Sequence, residues 1–275
     1  MAGDGCVVSP ETGLLLAGAA AAGFVQGVAG FAFGMVAMTF WVWTLEPQVA
    51  AVMVVFGSLA GQLVAVFSGR RGLNLATLGP FMAGGTLGIP LGIWALPMLD
   101  PAAFKLAVGA ALSVGCPAML WADRWPRVQA GRLADAGIGA VGGLMTAVGG
   151  FGGLVPSLWC TLRRMDKDEQ RSIMQNFNLA ALSVTAGGYL LAGVVTAPMV
   201  PQLAVVIPAL ILPALLGMRV YAGLSPAQFR RVVLSLLSLA GLTMVASSAL
   251  TGWSPRGGDV MDASLPTGIR TGDGR

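Results

Sequence analysis

The chain has 275 residues, 56% of them hydrophobic and 10% charged, with a formal net charge of +4. An average soluble domain is about 25% charged, so this chain has too few polar groups to cover a water-facing surface and must face lipid along most of its length. The basic residues sit in short loops and form no face for nucleic acid. Histidine is absent, which removes the commonest metal ligand and the usual pH switch.

In chain order, residues 1–11 read as a tail. The start MAGDGCVVSPETG lacks the positive stretch of a signal peptide, and the apolar run behind it is too long for one, so the first apolar segment is expected to stay in the protein. Uncharged stretches follow at 12–45, 47–69, 72–99, 106–122, 136–162, 172–218 and 232–255. About 20 apolar residues cross a ~30 Å hydrocarbon core, so most can span. The stretch 172–218 carries Pro198 and Pro201 and reads as two helices and a turn. Cys6, Cys116 and Cys160 are too few, in surroundings too apolar, for a disulfide framework or a thiolate metal site.

The stretch 12–45 is awkward. As one helix it would be about 51 Å long, too long for one crossing and too short for two. Its middle reads Gly27-Val28-Ala29-Gly30-Phe31-Ala32-Phe33-Gly34, and the second half of the chain has Gly149-Gly150-Phe151-Gly152-Gly153 followed by Pro156. Each glycine costs ~1 kcal/mol relative to alanine inside a helix, so both clusters are expected to break it. Gly84, Gly88 and Gly92, four apart, read instead as a close-packing stripe.

The two clusters belong to a duplication. Val28-Ala29-Gly30-Phe31 recurs as Val148-Gly149-Gly150-Phe151, a shift of 120 residues, and Leu59-Ala60 falls on Leu179-Ala180 at the same shift. At a shift of 125, Asp100-Pro101-Ala102-Ala103-Phe104-Lys105 aligns with Ser225-Pro226-Ala227-Gln228-Phe229-Arg230. The expected organisation is a tail at 1–11, one transmembrane repeat at 12–122, a polar linker at 123–133, a second repeat at 134–250 and a disordered tail at 251–275.

Charge placement bears on topology. If each broken segment dips into the membrane and returns, Arg70, Arg71, Arg124, Arg127, Arg132, Arg163, Arg164, Lys167, Arg171, Arg219, Arg230 and Arg231 share one side, with Lys105 and the tail's basic residues on the other. Cytoplasmic loops are enriched in Lys and Arg, which favours this arrangement over eight ordinary crossings. It leaves three crossings per repeat, and an odd number inverts the second repeat. The expected fold is therefore an all-α integral membrane protein of two homologous four-segment repeats, inverted, each opening with a glycine-broken helix.

Few polar side chains lie within the spans: Gln26, Gln62, Thr86, Thr146, Gln175, Asn176, Asn178, Ser183 and Thr185. No charged residue is expected at membrane depth, which argues against a carboxylate proton relay. A helix that restarts after a break presents free N–H groups and about half a positive charge, enough to hold an anion without a cationic side chain. The candidate substrate-binding residues are Gln26, Gly27, Gly30, Phe31, Gly34, Thr146, Gly149, Gly150, Phe151, Gly152, Gln175 and Asn178. Without histidine or convergent carboxylates, no catalytic residue, metal site or cofactor is expected and the protein is not read as an enzyme. No phosphate loop of the form GxxxxGK[ST] is present, so nothing in the chain reads as an ATP-driven motor.

These residues carry a resemblance. Gly23-Phe24-Val25-Gln26-Gly27-Val28-Ala29-Gly30-Phe31, the cluster from Gly149 to Pro156, Gln175-Asn176-Phe177-Asn178-Leu179, and the stretch from Pro213 to Gly241 containing Phe229-Arg230-Arg231 resemble the sulfite exporter TauE/SafE family of bacterial membrane proteins, over about residues 12 to 250. Ala32 and Phe33 stand where the second repeat has Gly152 and Gly153. The resemblance implies a multi-pass inner-membrane transporter exporting sulfite, sulfoacetate or a related sulfonate. Its partners would be a small anionic substrate and the lipid bilayer, without nucleic acid, and a homo-oligomer is compatible with the sequence. The competing class is a non-transporting membrane sensor or assembly factor.

Overall fold

The computed structural model describes residues 10–67, 75–220 and 226–252. The expectations for both tails, for Arg70 and Arg71, and for the side chains of Lys167, Arg171 and Arg230 lie outside what is described. Ten α-helices are present among the described residues: α1 (Pro10–Ala29), α2 (Phe33–Trp41), α3 (Pro47–Phe67), α4 (Leu75–Ala95), α5 (Pro101–Trp121), α6 (Arg132–Gly149), α7 (Leu154–Leu162), α8 (Lys167–Leu191), α9 (Met199–Val220) and α10 (Pro226–Gly252). Windows in α1, α3, α4, α5, α9 and α10 are long and apolar enough to cross a bilayer. Helix α8 has 25 residues, also enough to cross, but its first turns carry Lys167, Asp168, Glu169 and Arg171. At nine residues each, α2 and α7 are too short to span.

Local chemistry sets several boundaries. Asp100 caps α5 by accepting from the Ala103 amide at 2.7 Å, with Pro101 opening the helix, a strong start signal. Helix α1 gives way at Gly30, whose φ is +84°, and α6 ends on Gly150, whose φ is +68°. Both angles lie in the left-handed region that glycine enters without steric cost. Helices α8 and α9 are joined by a turn over 192–198, so Pro201 lies in the first turn of α9, where a missing N–H costs little.

Two tethers define how the short helices run. The Trp41 indole, at the end of α2, donates to the Leu15 carbonyl near the start of α1 at 3.3 Å. These residues are 26 apart in sequence and would lie about 39 Å apart along one straight helix. Helix α2 therefore doubles back along α1. At the end of α7, Trp159 Nε1 and Arg163 Nη1 donate to Asp135, in the first turn of α6, at 2.7 and 2.8 Å. Helix α7 doubles back along α6 in the same way.

Each hairpin packs on a helix from the other half of the chain. Helix α1 lies on α9, and α6 on α4. Cβ atoms added at Gly84, Gly88 and Gly92 would strike the backbone of α6 at Ala136, Ala140 and Leu144 in turn, so this stripe is the contact surface and the two helices run parallel. Gly23 and Gly27 likewise abut Leu210 and Ala214 of α9. Helix α3 also packs on α9 and α8 on α4, while α3 meets α8 and α5 meets α10.

The loops sort onto two faces. On one, the Lys105 ammonium lies 3.4 Å from the centroid of the Trp43 ring, a cation–π contact between the α2–α3 and α4–α5 corners. On the other, Thr77 at the start of α4 donates to Glu169 of α8 at 3.1 Å. The linker docks there through the Val128 amide, which donates to the Leu162 carbonyl at 3.1 Å.

Candidate substrate site

The ends of the two hairpins meet. Gly34, in the first turn of α2, has no space for a Cβ because the Gly150 carbonyl occupies it, and Val54 of α3 touches both positions. Val54, Ser58 and Gln62 lie four residues apart and so share one face of α3. Neither α2 nor α7 has a side chain capping its N-terminus; the N-cap residues are Ala32 and Gly153. Two first turns thus start inside the protein with amides that no cap neutralises.

Around this junction, polar side chains are buried and several lack partners. Gln26 is buried and its Nε2 donates to the Ser58 carbonyl at 3.0 Å. Gln26 Oε1 and Ser58 Oγ have no hydrogen-bond partner. Gln62 Nε2 donates to the Gly30 carbonyl at 2.8 Å. In the other half, Asn178 Nδ2 is buried without a partner and lies where a Cβ on Gly153 would be, at 2.8 Å from it. The Asn178 carboxamide, its Nδ2 at 2.8 Å and its Oδ1 at 3.0 Å from the position a Cβ on Gly153 would take, therefore faces the N-cap of α7.

The candidate residues fare differently. Gly30, Gly34, Gly150, Gly152 and Asn178 lie at or beside the junction, and Phe31 is half-buried next to it. Gly27 is consumed by packing against the Ala214 carbonyl, and Gly149 lies under the ring of Phe151. Thr146 is not a free donor, because its hydroxyl donates to the Gly142 carbonyl at 2.8 Å. Gln26 offers the junction an oxygen rather than a free donor, its nitrogen being bound to Ser58. Gln175 is half-buried one turn before Asn178 on α8.

Two groups escaped the sequence analysis. Ser58 is the residue that the shift of 120 sets opposite Asn178, and that correspondence was the available signal. Asp135 is a buried carboxylate, 4% exposed, held by both Arg163 and Trp159. It stands three residues after Arg132, at the start of the expected second repeat 134–250. Between the linker and the α7–α8 corner is a cavity of about 390 Å³ lined by Arg127, Arg163, Arg164, Asp166, Glu169 and Thr77, among others. Arg164 has φ 55°, and its guanidinium donates to the Asp123 carbonyl at 2.9 Å.

An all-helical multi-pass membrane protein with helix ends meeting in its interior is the class that fold and site define. A model of the sulfite exporter TauE/SafE family matches residues 14–244, and the chain belongs to that family. No curated protein and no solved structure matches it.

Proposed function

We propose that the protein is a secondary transporter that exports a small anion, such as sulfite or an organosulfonate, across a bacterial inner membrane. The observation that carries this is the junction of Gly34 with Gly150, which brings the N-terminal turn of α2 beside the loop leading into α7. Each uncapped turn contributes about half a positive charge. Asn178 adds an N–H donor with no other use. Together they would desolvate and orient an oxyanion without a fixed cation, which favours release as well as binding. The sulfur chemistry of the cargo comes from the family alone.

In this proposal the hairpins α1–α2 and α6–α7 are re-entrant, and α3, α4, α5, α8, α9 and α10 are the six full crossings. Residues 12–122 and 134–250 are then inverted repeats. The matched packing of α1 on α9 with α6 on α4, and of α3 on α9 with α8 on α4, supports a two-fold relation between the halves. Alternating access follows from rocking one half against the other about the junction. The cavity at the linker face, with Arg127, Arg163 and Arg164 alongside Asp166 and Glu169 in its wall, opens on the basic, cytoplasmic side in this arrangement.

The test is flux of sulfite and of a sulfonate in proteoliposomes, with chloride and acetate as controls. Selective, saturable flux of the sulfur anions supports the proposal. Correctly inserted protein that moves none of these anions rejects it in favour of a sensor or assembly role.

A further inference from the structure

The two halves of the junction have diverged in the kind of atom they leave unpartnered. Beside α7 it is a nitrogen, Asn178 Nδ2; beside the end of α1 it is a pair of oxygens, Gln26 Oε1 and Ser58 Oγ. Gln26 and Ser58 are 4% and 3% exposed, so neither oxygen is satisfied by bulk water. The orientation of the Gln26 amide follows from its surroundings: its nitrogen faces the Ser58 carbonyl at 3.0 Å, and a reversed amide would set two acceptors together.

We infer that the end of α1 is an alkali-cation site, built from Gln26 Oε1, Ser58 Oγ and backbone carbonyls of the last turn of α1 beyond that of Gln26, which accepts from the Gly30 amide at 2.7 Å. A helix C-terminus leaves its last carbonyls without ladder partners and carries about half a negative charge. There is space beside the turn at Gly30, while the Gln26 carboxamide packs against Gly61 of α3. Gln26 Oε1 occupies the space where Gly61 lacks a Cβ, and nothing lies within 4 Å of the position a Cβ would take on Gly30. All these oxygens are neutral. Divalent cations in proteins are generally held with carboxylates, so a neutral oxygen set selects a monovalent ion.

The second half lacks this set. At the shift of 120, Gln26 becomes Thr146, whose hydroxyl is taken by Gly142, and Ser58 becomes Asn178. A cation site at one hairpin and an anion-facing donor at the other would let the two ions move together. A cation site here departs from the expectation of no metal site, which rests on the absence of histidine and of clustered carboxylates. Binding itself does not depend on the proposal of transport; only the use of the ion for coupling does.

The experiment is thermal unfolding of the full chain in detergent at constant ionic strength, replacing choline with sodium or potassium. Sodium or potassium should stabilise the wild type saturably, and the two arms identify the ion. Ser58→Ala should raise the half-saturating concentration about tenfold, and Gln26→Met, which keeps the length of the side chain and removes the amide oxygen, should raise it by at least as much. Asn178→Ala should leave it unchanged. The inference is overturned if wild type unfolds identically in all three salts, or if Ser58→Ala and Gln26→Met both titrate as wild type. Anion flux that is indifferent to sodium and potassium, in protein that binds neither, sinks this inference alone. Cation binding without any anion flux sinks the transport proposal alone.

Discussion

Gly34 and Gly150 meet in the interior of the protein: the carbonyl of the second fills the space where the first would carry a Cβ. The pair joins the start of α2 to the end of α6, helices from opposite halves of the chain. Any side chain at position 34 must push against backbone, which cannot rotate away. Gly34→Leu and Gly150→Leu are therefore expected to reduce anion flux at least about tenfold while the protein still inserts. Gly137→Ala is the control, since nothing lies within 4 Å of its missing Cβ. It should raise stability by about 0.5–1 kcal/mol and leave flux alone. Flux assays on reconstituted variants of equal abundance make the comparison.

Asn178 separates function from structure. Its Nδ2 has no partner, so removing it forfeits no hydrogen bond and relieves a desolvation cost of roughly 1–3 kcal/mol. The small cavity left by truncation acts against that gain. Asn178→Ala should change stability by less than about 1 kcal/mol and raise the KM for the anion strongly. A merely structural Asn178 would show stability and flux falling together.

Asp135 makes the opposite case. Its carboxylate is buried against Arg163, 2.7 Å away, and against the Trp159 indole. Removing Arg163 strands the buried carboxylate with the Trp159 indole alone, at a cost of about 1–3 kcal/mol. Arg163→Ala should lower the unfolding temperature sharply, and adding Asp135→Ala to it should recover part of the loss. Thermal unfolding of the two single variants and the double variant provides the cycle.

Much of the fold was legible because lipid leaves a coarse signature. Uncharged stretches between 47 and 122 correspond to α3, α4 and α5. The glycine clusters at Gly30 and Gly150 fall where α1 and α6 stop. The stripe of Gly84, Gly88 and Gly92 announced a close contact, though not that α6 would fill it.

The site was harder to read, for physical reasons. Gly27 and Gly34 are chemically alike in sequence, yet one faces α9 and the other faces Gly150. Only tertiary packing tells them apart. Thr146 looked like a donor, but a threonine inside a helix can bond back to the preceding turn, and this one does so at Gly142. Asp135 and Arg163 are 28 residues apart, and they become neighbours only because α7 returns along α6.

The proposed topology has the two hairpins returning to the faces they leave, and cysteine accessibility tests that most directly. In a background without Cys6, Cys116 and Cys160, single cysteines would replace Thr44, Gln129 and Thr196, all exposed in loops. Labelling of whole cells with a membrane-impermeant thiol reagent should reach positions 44 and 196 from outside, and position 129 only after the membrane is opened. Positions 129 and 196 labelling from the same side would mean that the α6–α7 segment crosses the membrane, and would contradict the account.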